Sequence, residues 1–166
     1  MPKEYNDYKL LEMAQERLML EEFLVKKSNL SSRDSKGRNA LFWAIKYRNR
    51  HNVQILLKYN INLMVTPTTH ALFHAIKVND IEIFMHIFAL EEQDINMRDK
   101  HGVTLIMRAI EIESIHIVRY LINRGANLYL KDNNGKSVSD YIQSCKYQDL
   151  FNLVYYRIVY EKSKVA

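Results

Sequence analysis

Residues 99–131 have the sequence DKHGVTLIMRAIEIESIHIVRYLINRGANLYLK, which predicts one complete unit of two short helices. Asp99 and Gly102 predict a turn, because an Asp side chain can bond backbone N–H groups two residues on and Gly accepts a positive φ. Thr104 is a suitable N-cap for a first helix, and the apolar residues after it recur with a helical period. A second apolar run ends at Gly125, a common helix stop. The predicted unit is therefore turn, helix, turn, helix.

The same features recur at a nearly constant spacing along the chain. An Asp-x-x-Gly turn that begins at Asp99 is followed by another that begins at Asp132. Small residues in the first helix, Ala44, Ala75 and Ala109, recur at similar intervals. The pattern resembles the ankyrin repeat, a family with a period of about 33 residues and a T-P-L-H-x-A helix start. Here that start has the sequence TLIMRA, so the Pro and the His are missing.

The resemblance implies an all-α solenoid of helix-turn-helix units that forms a single domain, residues 1–166. The expected units are an N-terminal capping repeat, three central repeats and a C-terminal capping repeat, at about residues 8–33, 34–65, 66–98, 99–131 and 132–162. The repeat frame favours two helices in the first unit, with a break near residues 17–19. The unit 66–98 is expected to deviate most, because residues 66–69 (TPTT) replace the Asp-x-x-Gly turn.

Composition excludes several classes of protein. The 166 residues are 48% hydrophobic and 26% charged, which is typical of a globular protein, and only four Gly and two Pro argue against a sandwich or barrel with many tight turns. No apolar run approaches the ~20 residues of a membrane span. The polar start lacks the apolar core of a secretory signal, and Cys145 is the single cysteine. A reducing cytoplasm is therefore the expected location.

Neither a catalytic nor a metal-binding constellation is evident in the sequence. His70 and His74 have the spacing that lets two imidazoles share a metal, but no further ligands accompany them. His70 is instead expected to replace the helix-start Thr and to bond the backbone. Cys145 has only Lys146 beside it to lower its pKa. We therefore expect no enzyme activity, no cofactor or metal, and no small-molecule ligand.

The resemblance implies a partner protein bound in a concave groove built from the first helices and the turn tips. The candidate contact residues at these positions are Lys36, Arg38, Trp43, Lys46, Tyr47, Lys77, Arg108 and Ile112. The residues just before the aligned alanines and their counterpart Ile142, expected to form a ladder along the inner edge, are Trp43, His74, Arg108 and Tyr141. Trp43 and Tyr47 are one helical turn apart, and Trp, Tyr and Arg dominate binding energy at interfaces. Two interpretations of Trp43 stay open: contact with a partner, or packing between repeats.

Charge is unevenly distributed along a chain whose net charge is +5. Residues 26–58 carry a net charge of +8 and residues 78–97 a net charge of −5, which indicates either an electrostatically steered partner or a solvated basic face. Nucleic acid is the weaker alternative, because no helix-turn-helix, zinc-finger or RNP signature is present. For a protein partner, two roles stay open: an adaptor or accessory factor, and a stoichiometric inhibitor such as a bacterial immunity protein or a host-directed effector. The tyrosine-rich last helix is an alternative contact surface.

Overall fold

The computed structural model describes residues 3–90 and 93–164. The chain divides into an N-terminal unit, Met1–Glu91, and a C-terminal unit, Glu92–Ala166. Helices predominate in both units, and the described residues contain one two-stranded sheet. The predicted all-α class is thereby confirmed.

The N-terminal unit consists of helices in successive pairs. Its elements are α1 Lys3–Gln15, α2 Glu22–Lys27, α3 Ala40–Lys46, α4 Arg50–Lys58, β1 Met64–Thr66, β2 Thr69–His70, α5 Ala71–Val78 and α6 Ile81–Phe88. Helix α3 contacts both α1 and α5, while α4 contacts both α2 and α6. The first helices of the pairs therefore form one layer and the second helices form another. The helix break predicted near residues 17–19 is confirmed, because α1 and α2 are separate helices.

The C-terminal unit has the same organisation. Its helices are α7 Leu105–Glu111, α8 Ile115–Asn123, α9 Val138–Gln143 and α10 Gln148–Ser163. The first helices α7 and α9 contact each other, and α10 contacts α8 and α9. Isolated antiparallel bridges join Arg98 to Thr104 and Lys131 to Ser137, so each first helix follows a hairpin-like turn.

The first helices begin at capping side chains that the sequence places there. The side chain of Asn39 accepts the N–H of the residue three positions on at 3.0 Å, and Nδ1 of His70 accepts the N–H of Leu72 at 3.2 Å. His70 thus replaces the helix-start Thr and bonds the backbone, as predicted. Thr104 caps α7 by accepting the N–H of Met107 at 3.4 Å. These bonds satisfy N–H groups that a helix start leaves without partners.

Left-handed residues end the first helices at equivalent positions of successive pairs. Arg17, Arg48, Asn79 and Glu113 have φ values between 53° and 64°. This conformation redirects the chain from the first helix of a pair into the second. Asn60 ends a second helix with a φ of 57°, the left-handed conformation that Asn adopts more readily than most residues.

Three of the turns are organised by an aspartate. Asp34, Asp99 and Asp132 each accept the N–H groups of the residues two and four positions on, at 2.8–3.1 Å. Val65 occupies the equivalent position in the repeat after Asp34 and is fully buried, and the turn that follows it is the tight hairpin between β1 and β2. The turn at residues 66–69 therefore lacks the aspartate bonds that organise the other three turns, while the prediction that the unit 66–98 deviates most stays a prediction.

The aligned alanines lie where first helices meet their neighbours. Ala44, Ala75 and Ala109 are 1%, 0% and 0% exposed. A methyl side chain lets neighbouring helix axes lie close together, which fits the burial of these three positions.

Candidate partner-binding site

Two aromatic rings stack at the end of α3, between α1 and α5. The rings of Trp43 and Tyr47 are 5.7 Å apart between centroids, at an interplanar angle of 26°. Nζ of Lys46 lies 4.6 Å from the Trp43 centroid and 5.3 Å from the Tyr47 centroid. Helical spacing puts the two rings on one face of α3, and the lysine is held against both.

Two arginines from outside α3 cover the same rings. Cζ of Arg38, in the preceding turn, lies 4.2 Å from the Trp43 centroid. Cζ of Arg17, just beyond α1, lies 4.3 Å from the Tyr47 centroid. The cation–aromatic cluster, the name used below, consists of Arg17, Arg38, Phe42, Trp43, Lys46 and Tyr47. Its cations are attracted to the negative faces of the rings.

Asp34 fixes one side of the cation–aromatic cluster. Its Oδ2 accepts a hydrogen bond from Nε1 of Trp43 at 3.2 Å and one from Nε of Arg38 at 2.7 Å. Burial raises the pKa of Asp34, but the backbone N–H and the guanidinium of Arg38, with the N–H of Lys36, outweigh it and lower the pKa below its ordinary value. Asp34 is therefore ionised at neutral pH. Of the three cations in the cluster, Arg38 is the one that pairs with this carboxylate.

His74 extends the row of rings to α5. Its imidazole stacks on Phe42 with centroids 4.3 Å apart, and its Nε2 lies 3.2 Å from the carbonyl oxygen of Phe42. Burial lowers the pKa of His74 to about 4, the Phe42 carbonyl opposes this, and the charges of Lys77 and Lys46 lower it further. At neutral pH the ring is uncharged and its Nε2–H donates to the carbonyl. The charges of Lys46 and Lys77 thus both act on the region around His74.

The structure brings four of the candidate contact residues into the cation–aromatic cluster, Arg38, Trp43, Lys46 and Tyr47. They differ in exposure: Lys46 is exposed, Arg38 and Tyr47 are partly exposed, and Trp43 is only 7% exposed. Trp43 is therefore a packing surface for the cations around it. Lys36 at the turn tip and Lys77 on α5 are exposed and lie beside the cluster's elements.

Arg108 and Ile112 belong to the C-terminal unit. The guanidinium of Arg108 bonds Oδ2 of Asp99 at 2.6 Å and also pairs with Glu111. Burial lowers the pKa of Arg108, but the bond to Asp99 and the charge of Glu111 outweigh it, so the pKa is raised. Ile112 is partly buried at the end of α7. Arg108 is thus paired with two carboxylates, whereas Lys46 at the end of α3 forms no ion pair among the described residues.

Three members of the predicted ladder share one internal bond. Trp43, Arg108 and Tyr141 each donate to the aspartate nine residues earlier, the one that organises their own turn, at distances of 3.2, 2.6 and 2.8 Å. His74 has Val65 at that position and donates to the neighbouring first helix instead. Three of the four ladder positions thus bond their first helix to its own turn, with a different donor each time.

Sequence reasoning missed Arg17 and Phe42. Arg17 precedes the left-handed Arg48 by one repeat, and this spacing is the only signal that places it at a first-helix end. Nothing in the sequence indicates that its guanidinium covers Tyr47. Phe42 has a weaker interface preference than its neighbour Trp43, so its residue type alone does not indicate a place in the cluster.

The C-terminal unit contains a cavity of about 490 Å³. Its lining includes Glu111, Glu113, Asp140, Tyr141 and Cys145. Burial raises the pKa of the Cys145 thiol, so it is not an activated nucleophile. Across residues 3–90 and 93–164, no group of three His, Cys, Asp or Glu side chains could hold a metal ion.

Helix pairs that recur at a nearly constant spacing, each entered through a hairpin-like turn, define a helical-repeat scaffold. The family model for ankyrin repeats, in three copies, matches residues 72–161. The chain therefore belongs to the ankyrin-repeat family, whose members are generally protein–protein interaction modules, and the resemblance noted in the sequence is confirmed.

A putative ankyrin repeat protein of Acanthamoeba polyphaga mimivirus is 30% identical over 102 residues, which are 60% of this chain. The match spans 13% of the viral protein's length. In the parts of the chain that the structure describes, no helix is both long and apolar enough to cross a membrane.

Proposed function

We propose that this protein is a non-catalytic module that binds a partner protein, and that the exposed part of the cation–aromatic cluster is the contact surface. The observation that supports it is the row of cations held against stacked rings at the end of α3. Aromatic and arginine side chains are enriched among the residues that dominate interface energies. Membership of a family of interaction modules supports the same conclusion.

The side chains divide into those that touch the partner and those that position them. Lys46, Tyr47 and Arg17 are at least partly exposed and would make direct contacts. Trp43 is buried and bonded to Asp34, so it would act by holding Arg38 and Lys46 in place. A surface already ordered in the free protein loses less side-chain entropy on binding.

Two alternative roles are proposed for this protein in the complex. An adaptor or accessory factor would present or stabilise its partner, whereas a stoichiometric inhibitor, such as a bacterial immunity protein or a host-directed effector, would block the partner's activity. Addition of this protein to the purified partner separates them: the inhibitor role requires loss of activity at equimolar ratio, and the accessory role requires that activity be kept or raised. We place either role in the cytoplasm.

Affinity capture from a native extract tests the proposed surface. The variant Lys46→Glu, Tyr47→Ala should lose a protein that the wild type retains. The matched control is Lys131→Glu, Tyr129→Ala, which makes the same exchanges at exposed residues of the C-terminal unit and should retain it. Circular dichroism establishes that both variants are folded.

Equal retention by the wild type and both variants would exclude this surface and direct attention to α10, where Tyr155, Tyr156 and Tyr160 are 48%, 67% and 51% exposed. Retention of nucleic acid instead of protein, with affinity that falls steeply as salt rises, would overturn the proposed function.

A further inference from the structure

The cation–aromatic cluster contains three cations, more positive charge than the single carboxylate of Asp34 beside it can neutralise. The charged atoms of Arg17 and Lys46 both lie within 5.3 Å of the Tyr47 centroid, and those of Lys46 and Arg38 both lie within 4.6 Å of the Trp43 centroid. Of the cluster's three cations, only Arg38 forms an ion pair among the described residues, with Asp34. Cations held around the same rings add their positive potentials, so an anionic group bound at this surface is stabilised.

The arginine at the edge of the cluster keeps its hydrogen-bonding capacity. A guanidinium that covers a ring uses its face, while its N–H groups lie in its plane and stay available to a carboxylate. Arg17 is exposed, and its guanidinium makes no hydrogen bond or ion pair within residues 3–90 and 93–164. It therefore presents unused donors beside Lys46.

The rings of the cluster are covered, which disfavours one class of anionic partner. Trp43 stacks on Tyr47, with Arg38 and Lys46 against it, and Phe42 stacks on His74. Single-stranded nucleic acid gains much of its affinity by stacking bases on open aromatic faces. With those faces occupied, the surface offers charge and donors but no stacking platform, which favours carboxylates over nucleotides.

We propose that the cation–aromatic cluster binds an acidic segment of the partner protein, with carboxylates two or three residues apart. An extended chain rises about 3.3 Å per residue, so that spacing matches cations that flank a common ring. Lys77, whose charge reaches His74, continues the positive surface onto α5. The inference rests on the proposed function and adds the chemistry of the partner segment.

Selection from a phage-displayed library of random dodecapeptides against the full chain tests this inference. A variant with Arg17→Glu and Lys46→Glu serves for counter-selection. Enriched peptides should carry Asp or Glu at two- or three-residue spacing. By fluorescence anisotropy, their affinity should fall at least about tenfold in the double variant, and equally when their Glu and Asp are replaced by Gln and Asn.

The matched control is Arg119→Glu, Lys131→Glu, the same charge change at exposed residues of the C-terminal unit, which should alter affinity less than about twofold. Enriched peptides without acidic residues that still require Arg17 and Lys46 would overturn the acidic-segment inference and leave the proposed protein-binding function standing. Oligonucleotides bound in preference to every enriched peptide would overturn both.

Discussion

His74 is a buried base whose protonation is opposed by its surroundings. Its ring is stacked on Phe42 and its Nε2–H donates to the Phe42 carbonyl, while the charges of Lys46 and Lys77 disfavour a cation. Burial is the largest cause and the two lysine charges add to it, whereas the bond to the Phe42 carbonyl opposes them, and the resulting pKa is about 4, below the ordinary value of 6.5. The unfolded chain therefore binds a proton more readily than the folded one between those two values.

The free energy of unfolding should consequently fall as pH is lowered from 6.5 to about 4, and His74 should stop contributing to the slope below that. The loss from this residue is at most about 3 kcal/mol, from 1.36 kcal/mol per pKa unit. Urea unfolding of wild type and His74→Gln at several pH values measures it, because Gln can still donate to the carbonyl but does not titrate. Burial also lowers the pKa of His70, so the difference between the two proteins is the relevant quantity. If the free energy of unfolding had the same pH dependence in the wild type and in His74→Gln, the low pKa assigned to His74 would be contradicted.

At the scale of elements, two turn glycines form a matched pair. Gly102 and Gly135 have φ values of 73° and 80°, a region that L side chains rarely adopt. A Cβ at Gly102 would lie 2.3 Å from Oδ1 and 2.9 Å from the backbone N of Asn133, in the following turn. A Cβ at Gly135 would have no atom within 4 Å. The same substitution thus tests strain alone at one turn and strain plus collision at the other.

Gly135→Ala should cost about 1 kcal/mol through its φ value. Gly102→Ala should cost about 1–3 kcal/mol more, because the collision disturbs the bond from the Asn133 N–H to the His101 carbonyl, 3.0 Å long. Denaturant unfolding of both variants gives the comparison. Equal losses would mean that the following turn moves away without cost and that this contact does not stabilise the unit.

These elements also separate what the sequence could predict from what it could not. The capping roles of Thr104 and His70 followed from local chemistry, which depends on residues close in the chain. The pairing of Trp43 with Asp34 and the position of Arg17 over Tyr47 depend on side-chain rotamers chosen between packed helices. Periodicity identifies the first helices but does not specify which exposed cation covers which ring.

At the scale of the whole molecule, the net charge of a segment does not indicate which of its cations are available to a partner. The net charge of +8 over residues 26–58 counts several cations that the fold pairs: Arg38 with Asp34, Arg50 with Asp80 and Lys58 with Glu22. Lys46 within this range and Lys77 on α5 form no ion pair among the described residues, and they carry the argument for binding. The number of charges predicts a basic face, and ion pairing neutralises several of the cations that this number counts.

The last prediction concerns whether the whole chain unfolds in one cooperative transition. We propose that residues 1–166 unfold as a single domain, because repeats are stabilised mainly by their neighbours and short arrays of coupled repeats unfold together. Leu41 is fully buried in the N-terminal unit, and Leu41→Ala should cost about 3 kcal/mol. Fluorescence of Trp43, the chain's one Trp, reports on that unit, while far-UV circular dichroism reports on all helices. Coincident transitions that shift together in the variant are expected. A fluorescence transition that shifts alone would divide the chain into independently folding parts and overturn the single-domain proposal.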